Sequence, residues 1–332
     1  MWDIDNRTPF AGDGAFKRDQ AGAEVWVVII KASFDIMPDS TTKISQDQLE
    51  PLHAPVYNFE PGVSSMKYDT DFVLDKEATD VILNGQAWSK KGMVTRVEPA
   101  IQVGSINKKL IVTGERTWRN DLLNTKSLAM PFKSMPLVYE RAYGGIDITC
   151  KDEKKHVPYP ANPAGTGFSI KSSCMQNKKV PNIKYKSGIF ANKKNPAGFG
   201  AISCHWQPRA SYGGTYDEKW EQEQKPLLPK DFNMKYFQHA PEDQQIKGYL
   251  KGGEPVILKN LHPRGDLSFN LPKTGFECIT ELDSKEIEHK PNLHTVIFEP
   301  DDNKVIMVWH TAVQCHKKEH LLEKTIIRQI KT

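Results

Sequence analysis

Runs of β-branched and aromatic residues, each cut short by proline or glycine, recur along this chain and leave little room for helix. The 22 glycines and 22 prolines among 332 residues supply the breaks. This rhythm predicts strands at 24–35, 79–88, 93–103, 109–116, 254–261, 266–271, 277–282, 293–299 and 304–310. One short helix is predicted through "EKWEQEQ", because the Asp217 carboxylate before it can accept from the free N–H groups of a first turn. The tail "EHLLEKTIIRQIK" reads both ways, since Leu322, Ile326 and Ile330 fit a helical stripe and also one side of a strand. The expected fold is mainly β: antiparallel sheets, sandwich-like or barrel-like, with long Gly/Pro-rich loops and a few short helices.

A single unit over 1–332 is expected, with strand-rich regions at 1–135 and 251–332 around a loop-rich middle at 136–250. That middle runs in mirrored order through "RAYGG", "NPAGTGF", "NPAGFGA" and "SYGGTY". Glycine supplies the positive φ of tight turns, and Asn-Pro favours turn initiation. A phosphate-cradling loop would need a strand before its glycines and a helix after them. Neither copy has that context, so all four segments are read as corners of a scaffold.

The sequence does not point to bond-making chemistry. There is no G-x-S-x-G nucleophile elbow, and Cys204 and His205 are strand neighbours, which face opposite ways. The "WHTAVQCHKKEH" stretch offers His310, Cys315, His316 and His320 but lacks the H-E-x-x-H glutamate and carries Lys317 and Lys318, so it is read as a solvated turn. The acids Asp217, Glu218, Glu221 and Glu223 read as one exposed helix face. Lys76, Glu77 and Asp80 read as a structural ion pair at a strand entry. No enzyme activity, metal or cofactor is expected. Five widely spaced cysteines (Cys150, Cys174, Cys204, Cys278, Cys315) without a C-x-x-C, and a start without an export signal, suggest reduced thiols in a cytoplasm. The longest apolar run, "VWVVII", falls far short of the roughly 20 residues a spanning helix needs, so no membrane partner is expected.

Charge distribution says more than net charge, which is only +4. The insert 151–194 holds ten lysines against two acids, with no arginine. Tyr159, Phe168, Tyr185 and Phe190 lie among them, but the absence of arginine's fork disfavours nucleic acid. A solvated loop or an acidic protein partner fits better. Arg116 and Trp118 in "GERTWRND", and Arg209, Tyr212, Tyr216 and Trp220 in "QPRASYGGTYDEKW", are the residue types that dominate interfaces. With Lys178, Lys179, Lys184 and Lys186 they form the candidate partner-binding set; the competing reading is scaffold.

Eight segments stand in order: "KEATDVILNGQAW", "GERTW", "MPLVYERAYGG", "NPAGTGF", "NPAGFGAISCHWQPR", "GTYDEKW", "PLLPKDFNMKYFQHAPEDQQ" and "LKGGEPVIL". Together they resemble the domain of unknown function 2169 family. Glu77, Glu115 and Ala201 stand where that family commonly has proline, aspartate and glycine–proline. The resemblance implies a cytoplasmic accessory protein of the bacterial type VI secretion system. Such a protein is an adaptor or chaperone that holds a secreted effector, a toxin, and helps load it onto the VgrG spike or its PAAR tip. The alternative is a carbohydrate- or polymer-binding β module, since exposed Trp and Tyr can stack on sugar rings.

Overall fold

The computed structural model describes residues 2–119, 125–171, 175–186 and 194–330. Cys174, Phe190 and part of the lysine-rich insert lie outside the described residues. The protein is mainly β, with several antiparallel sheets. The largest sheet has the spatial order Gln245–Lys247, Ala78–Leu83, Asn292–Glu299, Lys304–Gln314, Glu24–Ile36 and Ala11–Arg18, with Thr42–Ile44 beside Glu24–Ile36. Its pairings are antiparallel apart from Asn292–Glu299, which runs parallel to Ala78–Leu83. A second sheet orders Ile183–Tyr185, Ile106–Thr113, Ala100–Val103, Pro255–Lys259 and Leu267–Asn270. A third orders Asp3–Asn6, Leu322–Ile330, Gly275–Leu282 and Lys285–His289.

The apolar run in Glu24–Ile36 is continuous because both of its faces are covered. On one face Trp26, Val28, Ile30, Ala32 and Phe34 join a core with side chains of the second and third sheets, including Ile101, Leu110, Val256, Phe276 and Ile327. On the other, Val25, Val27 and Ile29 pack with Met66, Phe72, Ala201 and Ala240 from the loops. The Trp26 indole N–H is satisfied inside the core by Thr325 Oγ1 at 2.9 Å.

The tail resolves as a strand: Leu322–Ile330 runs between Asp3–Asn6 and Gly275–Leu282, with Ile327 fully buried. The predicted strand at 79–88 is two, because Leu83 and Asn84 donate to Phe199 O and Phe298 O before the chain turns to pair Gln86–Trp88 with Ser134–Pro136. The helix forms at Glu218–Glu223, and the Asp217 side chain accepts from Trp220 N at 2.8 Å.

The two Asn-Pro segments meet at Tyr139. Asn162 of the first "NPAG" donates from Nδ2 to Tyr139 O at 2.8 Å and to Tyr143 O at 3.1 Å. Gly198 of the second "NPAG" lies so close to the Tyr139 ring that a Cβ there would fall 2.7 Å from it. Trp206 packs edge-on against the same ring at 5.7 Å.

Candidate functional site

Asp80 sits in the buried strand Ala78–Leu83, and Lys76, just before that strand, reaches it. The Lys76 ammonium is 2.8 Å from Asp80 Oδ2, 2.9 Å from His239 Nδ1 and 3.0 Å from Thr295 Oγ1. The loop bearing His239 closes on the same carboxylate: Gln238 Nε2 donates to Asp80 Oδ1 at 2.8 Å and His239 N to Oδ2 at 2.9 Å. Burial pushes the Asp80 carboxyl up, and Lys76 and His239 more than offset that, holding it below the ordinary value. Burial, then Lys76, pushes His239 down to about 4, so its imidazole is neutral and Nδ1 can accept from the ammonium.

Next to this cluster Arg209 spends its whole fork inward. It forms an ion pair with Asp69 at 2.6 Å and donates to Tyr236 O at 2.6 Å and Ile202 O at 2.8 Å. Burial pushes Asp69 up, but Arg209 and then His239 outweigh it, so this carboxylate also stays ionised. The two ionic groups tie together the stretch from Asp69 to Asp80, the Arg209 loop and the His239 loop.

A cavity of about 600 Å³ opens on the outer side of this hub. Ala78, Ile202, Arg209, Tyr212, Lys235 and Gln245 line it, so its walls mix apolar, aromatic and charged groups. One border is Gln245–Lys247, an edge strand of the large sheet that pairs with Ala78–Leu83 and has no second strand partner among the described residues. The cavity is built mostly by three of the eight ordered segments, "KEATDVILNGQAW", "NPAGFGAISCHWQPR" and "PLLPKDFNMKYFQHAPEDQQ", with Tyr212 and Lys247 added from outside them. A family described as an uncharacterized protein conserved in bacteria, DUF2169, matches residues 21–310. The chain belongs to the DUF2169 family. No curated protein and no solved structure matches it.

Within this DUF2169 chain the sequence-predicted contacts fall in separate places. Arg209 is 4% exposed, and its guanidinium is used by Asp69 and two carbonyls, so it fixes the cavity wall from within. Tyr212 lines the cavity half-buried. Tyr216 is exposed and packs edge-on against Trp220 at 4.7 Å, and the Trp220 indole N–H goes to Leu227 O at 2.9 Å. Arg116, Trp118, Lys178 and Lys179 are brought together on a small layer away from this cavity, since Trp118 N donates to Lys178 O at 3.0 Å and Thr117 bridges Lys179. Lys184 lies in the edge strand Ile183–Tyr185; Lys186 follows it and pairs with Glu98 at 2.6 Å.

His310 is a correction. It is no part of a solvated turn with His316 and His320 but a buried member of Lys304–Gln314, where Nε2 donates to Val73 O at 2.8 Å, and Cys315 too is fully buried, in the main core. Its ring stacks on His294 at 4.3 Å, and Asp75 lies 3.2 Å from His294 Nε2. The three side chains could hold a metal ion by proximity alone. The two imidazole planes, however, are inclined by only 13°, so their in-plane lone pairs do not converge on one point as they stand.

Asp69, Gln238 and His239 were not among the predicted contacts. A charged Asp80 inside the apolar "ATDVIL" run is the signal that could have found their cluster, because a carboxylate in a buried strand must have partners.

Proposed function

We propose that this chain is a non-enzymatic adaptor or chaperone that binds a type VI secretion effector and promotes its loading onto the VgrG/PAAR spike. Membership of the DUF2169 family supports the setting, through the accessory role that the resemblance implies. The observation that carries the reading is the way family-like segments are used. Their charged residues are locked from behind, Lys76 by Asp80 and Arg209 by Asp69, and what they leave facing outward is a cavity of mixed polarity beside a sheet edge. Such a recess suits an extended stretch of another protein, because an edge strand offers main-chain pairing and an adjoining cavity accepts a side chain.

Co-purification from a bacterium with the native secretion locus tests it. The tagged chain is expected to bring down an effector together with, or in place of, a VgrG or PAAR protein. Tyr212→Ala with Lys235→Glu, which alter the cavity lining without touching the buried ion pairs, is expected to reduce recovery severalfold. Recovery of neither effector nor spike protein by the unaltered chain would refute the adaptor.

A further inference from the structure

Away from the cavity, residues 115–119 run as the middle of a small three-stranded layer. Trp118 bridges Lys126 on one side, and Thr117 bridges Lys179 on the other. Asn177 N donates to Trp118 O, and Val180 N to Arg116 O, both at 2.9 Å, which sets Lys178 opposite Trp118. Because side chains alternate across an extended strand, Arg116, Trp118, Lys126 and Lys178 share one face. The Lys126 ammonium sits 4.7 Å over the Trp118 ring, which confirms that these two point the same way. The neighbouring Leu128 is 85% exposed.

Two features of this face call for a ligand. Among the described residues, Arg116 Nε and Trp118 Nε1 are both buried N–H donors with no hydrogen-bond acceptor. A buried donor without an acceptor is rare and costly, and two of them two residues apart on one face form a pair of sites awaiting oxygen. The layer is also strongly cationic. Among the described residues it carries Arg116, Arg119, Lys126, Lys178 and Lys179 against Glu115, and Glu115 is already held by Arg141 at 2.5 Å.

We propose that the face bearing Arg116, Trp118, Lys126 and Lys178 binds an extended acidic segment of a partner protein, whose carboxylates accept from Arg116 Nε and Trp118 Nε1. The inference rests on the adaptor reading for the identity of the partner and adds the chemistry of its docking segment. Carboxylate is the acceptor that suits both donors, since charge-assisted bonds are the strong ones and the surrounding ammonium groups favour an anion. A nucleic acid fits less well, because the Lys126 ammonium occupies the Trp118 ring face on which a base would stack. Both N–H groups are screened from water in the free protein, so the groups that cover them move aside as the segment enters.

The probe is a short fluorescein-labelled peptide alternating glutamate with threonine, titrated with the full chain and followed by anisotropy. Saturable binding that weakens as salt rises is expected, with no binding of the lysine-for-glutamate peptide or of oligothymidine. Trp118→Phe and Arg116→Lys are each expected to weaken binding about tenfold, because a hydrogen bond to a charged acceptor is lost. Trp118→Phe is expected to melt at the same temperature as the parent or higher, since it removes an N–H that has no acceptor among the described residues. A lower melting temperature for Trp118→Phe, equal binding of oligothymidine, or no saturable binding of the acidic peptide overturns the proposal. Co-purification separates the two readings. If both variants recover effector as well as the parent does, the acidic face is wrong and the adaptor stands. If the peptide binds as described while the chain recovers neither effector nor spike protein, the face stands and the adaptor is wrong.

Discussion

Arg209 and Asp69 form a buried pair whose value lies in holding loops, and removing one partner leaves the other charge without compensation. Arg209→Met or Asp69→Asn is expected to destabilise the chain by about 3–5 kcal/mol in urea unfolding, and the double variant by less than the sum of the two. A second residue-scale expectation concerns acid. Burial pushes His239 and His289 down to about 4 and His310 down to about 3, so all three are neutral in the fold. The unfolded chain, with ordinary histidines near 6.5, then binds more protons than the native one. Stability is therefore full above about pH 6.5 and falls as pH drops toward about 4, by up to about 1.4 kcal/mol per pH unit for each histidine. The carboxylates Asp69 and Asp80, held low in the fold, add to this only below about pH 5. Urea unfolding at stepped pH checks it, and His289→Gln, which cannot take up that proton, is expected to make the slope between pH 6.5 and 5 shallower. A slope that the variant leaves unchanged would show that His289 takes up its proton alike in the folded and unfolded chain, so that burial does not push it down.

At the scale of elements, the two glycine segments act through contacts that admit no side chain. A Cβ at Gly165 would lie 2.4 Å from Asn162 Nδ2 and 2.8 Å from Gly144 Cα, and one at Gly198 would strike the Tyr139 ring. Gly165→Ala and Gly198→Ala are each expected to lower stability by about 1–3 kcal/mol through overpacking, read from melting curves. If both substitutions were neutral, the corners would be loose and the cavity walls not rigid. The corner role was legible because Asn-Pro and Gly-Gly act locally on φ and ψ. So were the long strands, in which apolar residues announce themselves, as Glu24–Ile36 and Lys304–Gln314 do. Ala11–Arg18 was not legible. Its "AGDGAFKR" has neither alternation nor β-branching, because Trp26 and Ile327 fill the space that side chains at Gly14 and Gly12 would take. The tail could be settled only by its neighbours, since the spacing of Leu322, Ile326 and Ile330 suits helix or strand until Gly275–Leu282 pairs with it. The burial of Arg209 was hidden for a similar reason: its partner Asp69 is remote in sequence, and an arginine among aromatics reads alike on a surface or in a core.

At the scale of the whole molecule, every major sheet draws strands from both ends of the chain. In the largest, Asn292–Glu299 and Lys304–Gln314 stand between Ala78–Leu83 and Glu24–Ile36, with eleven registered pairs joining Lys304–Gln314 to Glu24–Ile36. In the second, Ala100–Val103 pairs with Pro255–Lys259, and in the third Asp3–Asn6 pairs with Leu322–Ile330. A fragment ending before residue 252 would therefore keep the outer strands of the large sheet and lose the two between them, exposing backbone groups and removing part of the cover from each apolar face of Glu24–Ile36. Fragments 1–251 and 252–332 are each expected to lack near-ultraviolet circular dichroism and a cooperative melt alone, and to regain both when co-expressed. The intact chain is expected to unfold in one transition whose calorimetric and van't Hoff enthalpies agree. Because its pairings are mostly remote in sequence, refolding belongs with slow β topologies, on the order of milliseconds to seconds or longer. A folded, cooperatively melting fragment 1–251 would mean that the interleaved strands contribute little to it, and the cavity would then have to be reread as belonging to an independent N-terminal unit.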